Sequence, residues 1–129
     1  MRRLICKSVA VTALCMGAWG GAQAATPAEL LAGYGAQGDA ARGQQFFNSK
    51  HGQEWSCASC HGNPPSAQGK HAGTGKAIAP LAPAFNPERF TDTGKAEKWF
   101  RRNCKDVLTR ECSAGEKADV LAWLLTLKR

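Results

Sequence analysis

Apolar positions in this chain come in two forms: one compact run near the start, and later stripes at helical spacing divided by glycine- and proline-rich loops. The clearest stripe places Ala96, Trp99, Phe100, Asn103 and Val107 on one face and predicts a helix from about Thr93 to Cys104 or a little beyond. Lys95, Glu97, Lys98, Arg101 and Arg102 fall between these positions and read as its solvated face. The last helix starts at Ser113, whose hydroxyl forms a capping box with Glu116, and runs to Leu127 with Val120, Trp123, Leu124 and Leu127 inward. Earlier, Asp39 caps a helix reaching about Asn48, with Gly43 and Phe47 four apart on one face. Thr26, Pro27 and Glu29 give a helix start or an ordered arm, which Gly33, Gly35 and Gly38 then interrupt. Asn48 to Ser56 and Gly62 to Gly75 carry no periodicity and read as loops. Ile78 to Pro83 is apolar but punctuated by proline, and is expected to run extended. No repeat or second domain is visible, so the expectation is a single all-α domain of four or five helices.

The early run, Val9 to Trp19, comes after Arg2, Arg3 and Lys7 and precedes Ala22-Gln23-Ala24, a small-x-small cleavage site. That is the pattern of a secretory signal over residues 1–24, and the run is too short to span a bilayer. Thr12 and Leu14 ahead of Cys15 are a poor fit to a lipoprotein site. Three of the seventeen basic residues and none of the ten acidic ones lie in this leader, so the formal charge of +7 falls to +4 for residues 25–129. The charges are spread rather than striped, which argues against nucleic acid, although a modestly basic surface can steer an acidic redox partner. Cys6 and Cys15 lie in the leader; of the other four cysteines, Cys104 and Cys112 most simply pair as a disulfide in an exported domain.

The remaining two cysteines stand in Cys57-Ala58-Ser59-Cys60-His61, the pattern that attaches haem c. Two thiols three positions apart and an imidazole directly after the second fit one helical turn, so both sulfurs can bond one porphyrin while His61 faces the iron. Zinc would need further ligands such as His51 and His71, and a thioredoxin-like pair would need a βαβ frame, which is not visible. The Pro80 carbonyl is the candidate to accept the His61 Nδ1 proton and fix its tautomer. The usual sixth ligand of an electron-carrying cytochrome is methionine, yet Met1 and Met16, the only two, both lie in the leader. The sixth position is then left to another side chain, with His51, His71, Lys70, Lys76 and Asn103 as candidates, to water or to nothing. Lysine would first have to lose its proton. Asn103 stands on an apolar stripe, where an amide must find partners; on pattern alone it is a ligand, a helix C-cap or a backbone-bonded side chain.

The sequence resembles the class I cytochromes c, in which the first and last helices cross at a glycine and an aromatic. More specifically it resembles the oxygen-binding cytochromes c of the sphaeroides haem protein type. The likeness rests on Ala32-Gly33-Tyr34, the haem motif with Gly62, Gly75 to Pro83 and Arg89-Phe90-Thr91-Asp92. It continues through Glu97-Lys98-Trp99, Arg102-Asn103-Cys104, Cys112 and Gly115 to Asp119. It implies a covalent haem in a cleft, with Asn103 as a ligand that binds ferric iron and leaves on reduction, and a dihaem cytochrome c as electron donor. The function so implied is a periplasmic protein that accepts electrons and binds a diatomic ligand. The alternatives are a plain electron shuttle with a fixed ligand such as His71, and an enzyme reducing oxygen or oxidising nitric oxide, for which acid or base groups are not evident near Asn103.

Overall fold

A computed structural model describes residues 24–129, so all but the last position of the expected leader, with Cys6, Cys15 and both methionines, lies outside the described residues. The described chain forms five helices: α1 Pro27–Gly33, α2 Ala40–Asn48, α3 Cys57–His61, α4 Thr93–Leu108 and α5 Ala114–Thr126. Each begins where a side chain satisfies free amide groups of its first turn. Thr26, Ser56 and Ser113 form capping boxes with Glu29, Ser59 and Glu116, while Asp39 and Asp92 accept from the amides of Arg42 and Lys95. A two-residue antiparallel pair, β1 Gly69–Lys70 with β2 Ala77–Ile78, closes a turn in the stretch expected to be plain loop. Strands this short leave no period-2 signal to read.

The frame is the crossing of α2 and α5. Gly43 allows it: a Cβ there would overlap the Asp119 carbonyl oxygen and lie 2.9 Å from the Val120 nitrogen. One turn on, Phe47 is buried to 1% exposure and meets Trp123 with ring centroids 5.0 Å apart. Phe47, Val120, Trp123 and Leu124 form the centre of the core, with Cys57, Leu81, Phe90 and Phe100 packed at its margin. Arg42 clamps the crossing from outside, donating from Nε and Nη2 to the Asp119 carboxylate at 2.8 and 2.9 Å, while the Asp39 amide donates to Asp119 Oδ1 at 2.7 Å.

α4 lies against this frame, turned from the expected orientation. Ala96, Cys104, Val107 and Leu108 are buried and Phe100 is partly buried, so the inward arc is centred on the Phe100 and Cys104 side. Asn103 falls at its edge, half-buried, and Trp99 is exposed at 44%, stacked beneath the Arg102 guanidinium at 5.1 Å. Trp99 is therefore not an inward residue, because Cys104 and Leu108 draw the packing to the other side of Phe100. Glu97, expected on the solvated face, is half-buried and accepts from Tyr34 Oη at 2.8 Å and Lys117 Nζ at 2.6 Å. Cys104 and Cys112 come together across the α4–α5 connection, Cα atoms 5.6 Å apart with the sulfurs within bonding reach.

Candidate functional site

Helix α3 is a single turn, and the Ser56 cap sets its start so that Cys57, Cys60 and His61 share it. Cys57 touches both apolar clusters and is partly buried; burial pushes its thiol up to about 11. Cys60 is half-buried, and its sulfur accepts from the Ala72 amide at 3.3 Å, which ties the hairpin turn to the motif. His61 lies against Phe47, ring centroids 6.1 Å apart, so the buried aromatic of the α2–α5 crossing backs the imidazole. Burial, with a smaller push from the Arg89 charge, takes His61 down to about 4. The ring is thus neutral at pH 7, the state a metal requires.

His61 Nδ1 is buried with no hydrogen-bond partner among the described residues. The expected acceptor, the Pro80 carbonyl, is already engaged: Arg89 Nε donates to it at 2.9 Å and Asn86 Nδ2 at 3.3 Å. Among the described residues no hydrogen bond joins His61 Nδ1 to the Pro80 carbonyl. The sequence made that carbonyl look free because its competitors arrive from six and nine residues away. Arg89 also donates from Nη2 to the Ala79 carbonyl at 2.7 Å, so it pins the whole extended segment beside the motif. Its positioning role was missed, although Arg89-Phe90-Thr91-Asp92 was one of the stretches carrying the resemblance.

Of the other candidates, His51 sits at φ 52°, its Nε2 bonded to the Phe46 carbonyl at 2.7 Å and its ring on Phe46 at 4.4 Å. It closes the end of α2. His71 Nδ1 accepts from the Gly73 and Thr74 amides, both at 3.2 Å, inside the hairpin turn. A neutral His71 then carries its proton on Nε2, the nitrogen a metal would need bare. Lys70 and Lys76 are exposed on either side of that turn. Among the described residues no group of three His, Cys, Asp or Glu side chains is gathered for an ion, so the zinc alternative has no built site. Asn103 is neither a cap nor bonded to backbone: α4 continues to Leu108 and ends at Thr109 in the left-handed region. Whereas Asn48 and Asn86 donate to the Gln44 and Pro80 carbonyls, the Asn103 amide has no such partner among the described residues.

These features fit haem c. Two thiols on one turn, a neutral imidazole with an orphaned Nδ1, and partly buried apolar side chains at Phe46, Leu81, Phe90 and Phe100 would hold it, through thioether bonds from Cys57 and Cys60 and a proximal bond from His61.

Comparison with known proteins agrees. The family model "Domain of unknown function (DUF1924)" matches residues 34–124. The chain is 49% identical to cytochrome c-type protein SHP of Cereibacter sphaeroides over 107 residues, covering 77% of this chain and 82% of that protein. It is 50% identical to cytochrome c'' of Methylophilus methylotrophus over 88 residues, covering 65% of this chain and 61% of that one. Among solved structures, oxidised SHP, described as an oxygen-binding cytochrome c, superposes with a TM-score of 0.75 at 47% identity, covering 81% of this chain and 99% of SHP. Oxidised cytochrome c'' gives 0.71 at 38% identity, covering 80% and 95%.

Proposed function

The chain belongs to the family of cytochrome c-type protein SHP, monohaem c-type cytochromes with haem c as cofactor, and from that premise we propose a redox-gated binder of diatomic gases. Exported by the leader over residues 1–24 to the periplasm, it accepts electrons there, with a dihaem cytochrome c as donor. It takes up oxygen, nitric oxide or carbon monoxide once Asn103 has let go.

The observation carrying this reading is the state of Asn103: a half-buried amide on α4 with no hydrogen-bond partner among the described residues, in a chain whose methionines both precede residue 25. Haem c, when bound, would supply an iron that changes valence by one electron and takes protein side chains as ligands. His61 serves one side, held neutral by burial and backed by Phe47. Asn103 serves the other with a neutral carbonyl oxygen, a weak and hard donor that suits the ferric ion better than the softer ferrous one. Asn103 would hold ferric iron through that oxygen, and on reduction its release would leave room for a small uncharged molecule. Cys104, next to Asn103, is covalently joined to Cys112 and fixes the end of the helix from which the amide projects.

A plain shuttle with a fixed histidine is less well supported, because His51 and His71 are held by backbone groups. Carbon monoxide added to the dithionite-reduced protein tests the proposal. Rapid binding with a shifted Soret band is expected; an unchanged spectrum would establish a closed shuttle instead.

A further inference from the structure

Tyr34, Glu97 and Lys117 converge from the end of α1, from α4 and from α5 around Phe100. Tyr34 Oη donates to Glu97 Oε1 at 2.8 Å and Lys117 Nζ to Oε2 at 2.6 Å. The ammonium also lies 5.7 Å from the Tyr34 ring centroid and 6.0 Å from that of Phe100, and the two rings meet edge to face at 6.2 Å. The Lys117 side chain is only 17% exposed. This is therefore a partly desolvated ion pair on two aromatic faces rather than a surface contact. Burial raises Glu97, but the Lys117 and Tyr34 hydrogen bonds outweigh it and hold its carboxyl below the usual value, so Glu97 is a carboxylate at neutral pH.

Its place on α4 gives the cluster a role. Glu97 and Cys104 are seven residues, two turns, apart and so share one face of the helix. Glu97 ties that face to α1 and α5, and Cys104 ties it to Cys112. Asn103 and Phe100 lie between the two ties. A helix held at two points can neither roll nor slide, and both motions would change the reach of an amide projecting between them. Because an amide is a weak donor, its hold on ferric iron is more sensitive to such a shift than that of a strong ligand.

Resting on the ligand role of Asn103 stated above, we infer that the Tyr34–Glu97–Lys117 cluster is the positioning element that sets the strength of ferric Asn103 ligation. It sets the balance between closed and open oxidised protein. The reduced protein, in which Asn103 is already detached, is indifferent to it.

Azide affinity of the ferric holoprotein and carbon monoxide binding rate of the ferrous holoprotein, measured on the same variants, test this. Lys117→Met and Tyr34→Phe are expected to raise azide affinity and the high-spin ferric fraction by roughly five- to tenfold, the effect of one charged contact on an equilibrium. The carbon monoxide rate is expected to stay put, and Lys117→Arg, which keeps the ion pair, to restore wild-type azide affinity. Azide affinity unchanged in both variants would overturn the inference, and so would azide affinity and carbon monoxide rate rising together, the mark of a generally loosened pocket. Asn103→Val separates this from the ligand assignment itself. If Asn103→Val opens the ferric site while Lys117→Met does not, only the positioning role falls; if neither does, the ligand role falls with it.

Discussion

The Phe47 ring lies 6.1 Å from the His61 imidazole, tilted by 43°, and forms the buried link between the α2–α5 crossing and the histidine proposed as iron ligand. The same ring meets Trp123 at 5.0 Å, so the proximal side of the site is continuous with the centre of the core. Phe47→Ala is expected to lower unfolding free energy by about 3 to 5 kcal/mol, through lost burial and a cavity that two neighbouring rings cannot close. Urea unfolding of the holoprotein measures it, and a loss below about 1 kcal/mol would show that the ring is dispensable.

Gly43 tests the crossing from the other helix. Because a Cβ would overlap the Asp119 backbone, which cannot swing aside as a side chain would, Gly43→Ala should destabilise by about 2 kcal/mol or more, despite the better helix propensity of alanine. A stabilised variant would mean that α2 and α5 are farther apart than described.

Glu116 supplies a pH dependence. Arg110 donates to both of its carboxylate oxygens, at 2.8 and 2.7 Å, and the Ser113 amide to one of them at 2.8 Å. The Arg110 hydrogen bond, against a smaller opposing effect of burial and with help from Ser113, brings its carboxyl down to about 2 from the ordinary 4.5. A carboxylate held low in the folded state adds stability that is complete above about 4.5 and lost as pH falls through about 2. Arg110→Met should therefore lower the melting temperature at neutral pH, and its gap from wild type should close progressively on acidification. A gap that persists unchanged into acid would disprove the linkage.

The Cys104–Cys112 bridge closes a short loop, their separation being 8 residues. Replacing both by serine is expected to cost about 2.5 kcal/mol, mainly through the freed unfolded chain. The carbon monoxide rate of the reduced protein should be retained, since on the proposed mechanism Asn103 is then already detached. A large change in that rate would give the bridge a part in the reduced state as well.

The parts legible in the sequence are those decided by a few adjacent residues. Thr26, Asp39 and Ser113 cap their helices as expected because a cap is a contact over three positions. The haem turn is a five-residue pattern with one geometry, and Gly43 with Phe47 announced the helix crossing. Features that depend on a distant neighbour were not legible. The α4 stripe contained the right helix but not its rotation, which Cys104 and Leu108 settle by packing away from Trp99. Glu97 looked like one more surface charge because its partners, Tyr34 and Lys117, lie 63 and 20 residues away. The donors on the Pro80 carbonyl were hidden for the same reason, since Asn86 and Arg89 stand six and nine residues on.

The central claim is that Asn103 closes the oxidised site and opens the reduced one. It is tested most directly by the ferric absorption spectrum and azide affinity of Asn103→Val, a swap of similar volume that removes the donor oxygen. The account predicts a high-spin ferric spectrum with azide affinity raised by at least about tenfold, while the reduced protein binds carbon monoxide as wild type does. A ferric spectrum and azide affinity identical to wild type would contradict it.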